Sequence, residues 1–173
     1  MANISNANGK LNCKVYCETE NEARYFLSNL REYLRFGEYA AFMSDEIEIS
    51  KVNGENGIYL ISTDFEGCGR WVFDENIQRW FGSWSKSAST KRFVNEIERY
   101  RFDICFDFVD FECGLRTFYH EVAVVQHKAG TPLNENNIRV ESVEDIDINA
   151  QNLIDNGYEG EVDYMFPEKT EEK

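Results

Sequence analysis

The chain has 173 residues, 42% of them hydrophobic and 14% aromatic, enough for one domain that buries about two thirds of its unfolded surface and too apolar for a disordered protein despite a net charge of -14. No stretch approaches the roughly 18 apolar residues of a membrane span, and residues 1–10 lack the basic and apolar regions of a secretory signal. Five cysteines without a C-x-x-C pair fit reduced thiols in a cytoplasmic protein better than a disulfide framework.

Lys10 to Cys17 alternates apolar and polar residues, the period of a half-buried strand. Thr19 and Glu22 have capping-box spacing, and Ala23, Phe26, Leu27, Leu30 and Leu34 then make one apolar stripe, predicting a helix that ends before Gly37. Residues 41–52 predict a second strand closed by a turn at Asn53-Gly54, with Ile58 to Phe65 as its partner. Gly67-Cys68-Gly69 predicts a turn, Asp74 caps a short helix carrying Ile77, Trp80 and Phe81, and Phe93, Val94, Ile97 and Tyr100 mark a further helix. Phe102, Ile104, Phe106 and Phe108 alternate with Asp103, Cys105, Asp107 and Val109 in a strand, which Glu112-Cys113-Gly114 turns into another over Leu115 to His127. A short strand from Ile138 to Val143, a short helix from Ala150 to Ile154 and an extended piece from Tyr158 to Phe166 follow.

Strand, helix, strand, strand, helix, strand is the order of the ferredoxin-like α+β fold, an antiparallel sheet with two helices on one face. The expected organisation is a core over residues 10–130 with an extra hairpin strand, an acidic appendage over 131–166 packed on it, and flexible termini at 1–9 and 167–173.

Charge is distributed unevenly. Residues 1–101 carry 13 basic against 15 acidic groups, whereas residues 102–173 carry 5 against 17. Residues 70–101 run the other way, with seven basic groups against four acidic.

The chain shows no G-x-S-x-G, Walker, G-x-G-x-x-G or H-E-x-x-H motif. His120 and His127 are the only histidines, and the cysteines lack the close pairs of structural zinc sites. Asp103, Asp107, Asp110 and Glu112, with His120 across the hairpin, form the one set suited to magnesium-dependent phosphoryl transfer. Trp71, Trp80 and Trp84, interleaved with Arg70, Arg79 and Lys86, form the one set suited to stacking on single-stranded nucleic acid; the competing reading places the tryptophans in the core. The strand from Ile58 to Phe65 lacks the basic-Gly-aromatic signature of RNA-recognition motifs.

The acidic residues Asp103, Asp107, Asp110, Glu112, Glu141, Glu144, Asp145, Asp147, Glu159, Glu161 and Asp163 are therefore the candidate partner-binding set. In an extended chain Glu159, Glu161 and Asp163 align on one side at roughly 6.6 to 7 Å per repeat, close to the phosphate spacing of a nucleic-acid strand. Solubility is the competing explanation.

Through Gly67-Cys68-Gly69-Arg70-Trp71 and the aromatic-acidic hairpin Phe106 to Gly114, about 100 residues resemble the Api92-like ferredoxin-like proteins of phages and plasmids. That resemblance implies the fold and a mobile-element origin, and no catalytic set. In size, charge and lack of catalytic motifs the chain is also similar to phage-encoded anti-CRISPR and anti-restriction inhibitors, some of which present carboxylates where a nucleic acid would bind. The expectation is a non-catalytic binding protein without cofactor or membrane association. Its expected partner is a basic, nucleic-acid-binding effector of the host.

Overall fold

In a computed structural model, which describes residues 4–37, 39–52, 54, 57–70 and 72–167, the elements follow in the order β1 (Ile4–Tyr16), α1 (Glu20–Leu34), β2 (Tyr39–Lys51), β3 (Ile58–Arg70), α2 (Phe73–Phe81), α3 (Lys91–Ile97), β4 (Arg101–Glu112), β5 (Thr117–His127), β6 (Ile138–Asp145), α4 (Ala150–Asp155) and α5 (Glu159–Met165). The six strands form one antiparallel sheet in the order β2-β3-β1-β4-β5-β6. The mixed α+β class therefore agrees with the sequence reading.

Period-two alternation divides each strand between two faces. On one face Leu11, Cys13 and Val15 of β1, Phe102, Ile104, Phe106 and Phe108 of β4, and Ala123 and Val125 of β5 are buried under α1, α2 and α3. Helix α1 begins with the capping box, Glu22 N–H donating to Thr19 Oγ1 at 3.2 Å and Thr19 N–H to Glu22 Oε2 at 3.1 Å. Its apolar stripe, joined by Tyr33, is wholly buried. Helix α2 adds a dense aromatic layer in which Phe73 stacks on Phe65 at 5.0 Å and meets Phe108 edge-on at 4.7 Å. Such offset and edge-on pairs add to the area they bury.

Four expectations require correction. Residues 4–9 are not a flexible terminus but the first half of β1, paired on both sides with β3 and β4. Gly67-Cys68-Gly69 is not a turn: β3 continues through it between β1 and β2, and a side chain at Gly67 would strike the rings of Tyr39 and Phe73. The residue preceding α2 is Val72, which offers no side-chain cap, and Asp74 lies inside the first turn. Residues 158–166 are not extended, since Glu159 to Met165 is helical and turns Val162 and Met165 toward the sheet. The turn expected at Asn53-Gly54 and the tail beyond Pro167 involve residues outside the described ones.

Residues 131–166 divide between the two faces. Strand β6 extends the sheet alongside β5, while α4 and α5 cover one end of the face opposite α1 to α3. There Phe111, Phe118, Leu153 and Tyr158 form a second small core, and the Tyr158 hydroxyl donates to the carbonyls of Asn6 and Val109 at 2.7 and 2.9 Å. No helix among the described residues is long and apolar enough to cross a membrane.

Candidate functional site

The part of the second face left bare by α4 and α5 is mostly polar, with Leu60 and Phe42 exposed among its side chains. β1 contributes Asn8, Lys10, Asn12 and Lys14, β3 contributes Ser62, Asp64 and Glu66, and β4 contributes Asp103, Cys105 and Asp107, each the polar half of its strand's alternation. Antiparallel register sets these side chains in rows. Lys10 stands opposite Asp64 on one neighbour and Asp107 on the other, while His120 stands opposite Val109 and Glu144. His120 Nε2 lies 2.6 Å from Asp107 Oδ1, and Arg139 donates to Glu141 at 2.5 Å. Both pairs are solvent-exposed and contribute little to stability.

The bare face deepens into an open groove of about 940 Å³ between the β2 edge and the α4–α5 corner. Asp45, Asp64, Glu66, Asp107 and Asp155 bring carboxylates to its lining, against Lys10 and His120. Asp45 is held below the usual carboxylate range by its 2.7 Å bond from Arg31. Glu66 also lines a smaller hollow running under α5, where Glu161 joins it. The opposite end of the face is mixed: Arg101 lies over the Tyr16 ring at 4.1 Å, beside Lys14.

Of the acidic residues singled out from the sequence, Asp103, Asp107 and Glu144 share this face, and Glu141 pairs with Arg139 at its β6 margin. Glu161 edges the adjoining hollow. Asp145 is exposed but stands opposite Tyr119, on the other side of the sheet, and Asp147 is exposed in the loop after β6. Glu159 and Asp163 are exposed one helical turn apart, so the expected extended row of three carboxylates does not exist.

Asp110 and Glu112 are buried, and neither can meet a partner. They share the parity of Phe106 and Phe108 on β4. Glu112 instead accepts the N–H groups of Gly114 and Leu115 at 3.1 and 2.6 Å, closing the β4–β5 turn. Conversely, Asp64, Glu66 and Asp155 were not singled out from the sequence. Alternation along β3 marks the first two; the position of Asp155 depends on the docking of α4.

Asp110 belongs to a buried polar cluster on the helix-covered side. Its Oδ2 accepts Phe73 N–H, the first amide of α2, at 2.7 Å and the Tyr119 hydroxyl at 3.0 Å, and Oδ1 accepts the Ser5 hydroxyl. A carboxylate from β4 thus provides the cap that Val72 cannot. Burial nevertheless outweighs these bonds and raises Asp110 to about 6. Glu121, 2% exposed on β5, is raised to about 7 by burial and by the charges of Asp74 and Asp110. Asp74, also raised chiefly by burial, has one buried carboxyl oxygen without a hydrogen-bond partner, as does Glu121.

The magnesium set is dispersed, with Asp103, Asp107 and His120 on the bare face and Asp110 and Glu112 buried. Among the described residues no group of three or more His, Cys, Asp or Glu side chains is placed to hold a metal ion. His127 is buried between the carbonyls of Tyr100 and Thr131 at 2.8 and 2.7 Å, and all five cysteines are free. The tryptophan set is dispersed as well. Trp80 is wholly buried, donating its indole N–H to Phe36 O at 2.8 Å, and Trp84 packs against the same core, while Trp71 lies outside the described residues. Comparison of the chain with family models, with curated proteins and with solved structures finds no match to any of them.

Proposed function

We propose that this chain is an acidic, ferredoxin-like binding protein of phage or mobile-element type. It presents the bare face of its sheet to a basic, nucleic-acid-binding surface of a host defence protein and excludes the nucleic acid. The strand order β2-β3-β1-β4, with α1 to α3 on one face, supports the ferredoxin-like reading, extended here by β5 and β6. One observation carries the functional reading: carboxylates from β2, β3, β4 and α4 line one open groove, and Glu144 of β6 stands opposite its His120. A dense field of one sign on a fixed scaffold speeds encounter with a basic surface and competes with that surface's natural polyanion.

The groove identifies the useful variant. The wild-type chain and the triple variant Asp64→Asn, Asp107→Asn, Glu144→Gln serve as parallel baits for host proteins. The retained partner is then titrated with salt and with a DNA or RNA oligonucleotide. The expected partner is lost by the triple variant, released by salt and displaced by the oligonucleotide. A partner held equally by both baits, or indifferent to the oligonucleotide, rules the reading out.

A further inference from the structure

The buried carboxylates do not take part in the bare face, and they pose a separate question. Asp110, on β4, and Glu121, on β5, are both directed into the side of the sheet covered by α2, at 0% and 2% exposure. Asp74, in the first turn of α2, completes the group: its charge and that of Asp110 act on Glu121, and its charge acts on Asp110. Among the described residues, the hydroxyls of Ser5 from β1, Tyr39 from β2 and Tyr119 from β5 face the cluster, the amides of Phe73 and Glu75 bond to it, and Glu112, two residues beyond Asp110 on the same side of β4, stands opposite Ser5. From the edge strand β6, Asp145 stands opposite Tyr119 and Val143 opposite Glu121. Every titratable side chain named here is therefore acidic or phenolic.

Ionising all three carboxylates together in a low-dielectric site is unfavourable, because like charges at close quarters raise one another's cost of ionisation. Geometry makes the same point for Glu121: its Oε1 is buried without a donor, and an ionised carboxylate so placed loses hydration that nothing replaces. Asp74 also has one buried partnerless oxygen but is bonded by the Glu75 amide at the helix start, and on Asp110 three donors converge, one of them the first amide of α2. The proton therefore belongs first on Glu121, and the ionised form on Asp110.

We propose that Asp74, Asp110 and Glu121 form a proton-operated latch: a proton held on Glu121 lets Asp110 stay seated on the N-terminus of α2, and its loss loosens that end of the helix. The sign follows from linkage. The folded chain holds the proton more tightly than the unfolded chain, so the latch is closed in mild acid and weakens as pH rises through neutrality. Burial already raises Glu121 to about 7, which puts the transition within the physiological range. The latch lies on the helix-covered side of the sheet, so its operation does not depend on what the acidic groove binds.

Carbon-13 NMR of the side-chain carboxyl groups in the intact wild-type chain tests the first half directly. Glu121 is expected to titrate near neutral pH, well above the ordinary carboxyl range. A Glu121 midpoint within that ordinary range overturns the latch. Thermal unfolding at pH 5.5 and pH 8.0, at equal ionic strength, tests the second half. The wild-type midpoint is expected to fall by about 5 °C or more across that interval, whereas Glu121→Gln, in which Asp110 alone of the pair still titrates, is expected to fall by no more than about half as much. An equal fall in both proteins, or none in the wild type, overturns the proposal. Should the variant fail to fold, hydrogen exchange of the Phe73 amide in the wild-type chain decides: opening that increases between pH 5.5 and 8.0, after correction for intrinsic exchange, supports the latch, and constant protection refutes it.

Discussion

Asp107 and Asp110 stand three residues apart on one strand and live in opposite solvents. Asp107 is half exposed beside His120 on a bare polar face, while Asp110 is sealed beneath α2 with three donors on its oxygens. An exposed carboxylate is nearly neutral for folding and free to act on another molecule. A buried one organises its surroundings and is sensitive to its own protonation. The two faces of this sheet differ in the same way, one built for stability and one available for encounter.

Truncating a matched residue on each face is the harshest test of that division. Phe106, wholly buried among Phe65, Phe73 and Phe81, is expected to cost about 4 kcal/mol when changed to alanine. Phe42 is 51% exposed on the groove side, and Phe42→Ala is expected to cost under about 1 kcal/mol. Urea unfolding measures both, and comparable losses would contradict the assignment of the faces.

The carboxylates allow a second test at slightly lower cost. Asp110→Ala leaves Phe73 N–H and the Ser5 and Tyr119 hydroxyls without their acceptor, for a loss of about 3 kcal/mol. Asp107→Ala removes only an exposed contact with His120 and is expected to stay within about 0.5 kcal/mol of wild type. The ratio is the informative quantity: values near one would mean that Asp110 is not the cap of α2.

How much of this was visible in the sequence turns on the same strand. The alternation of Phe102 to Phe108 with Asp103 to Val109 marked both faces of β4, and continuing it by parity places Asp110 and Glu112 with the phenylalanines. Residue type argued the other way, since carboxylates are seldom fully buried. The capping box of α1 was legible because it is local, its partners lying three residues apart. The cap of α2 was not, because it comes from β4, 37 residues along the chain. The tail failed for a related reason: Glu159-Gly160-Glu161-Val162-Asp163 has a period of two, yet it is helical, with Val162 and Met165 packed against the small core around Phe111, Phe118 and Tyr158. Tertiary packing overrode a short local pattern.

The pH dependence of stability sharpens the comparison at a scale of a few kcal/mol. Asp110 at about 6 and Glu121 at about 7 both lie above the ordinary carboxyl values of unfolded chains. The folded state therefore binds more protons between about pH 4 and 7, and unfolding free energy is expected to fall as pH rises through that window. Each group contributes on the order of 2 kcal/mol that is present in acid and lost by about pH 8. Chemical denaturation at pH 5.0, 6.5 and 8.0 measures the slope, and a stability that stays flat or rises over this range would mean that burial raises neither carboxylate.

The smallest effect concerns the acidic residues outside the groove. Glu159 and Asp163 repel each other one turn apart on α5, and Asp163 also lies in the last turn, where the helix dipole disfavours an anion. Asp163→Asn is therefore expected to stabilise the chain by about 0.3 kcal/mol. Neutralising Asp64, Asp107 and Glu144 together should change stability little more, because those side chains are solvated and the contact of Asp107 with His120 is exposed. Binding is where the two sets should part. Association with a basic partner slows when charge is removed from either, but a groove that makes close contact also loses residence time when its own carboxylates are neutralised. Surface-plasmon kinetics on the two variants separates the cases. Faster dissociation confined to the groove variant locates the contact on the bare sheet, and faster dissociation confined to Asp163→Asn would move it to α5.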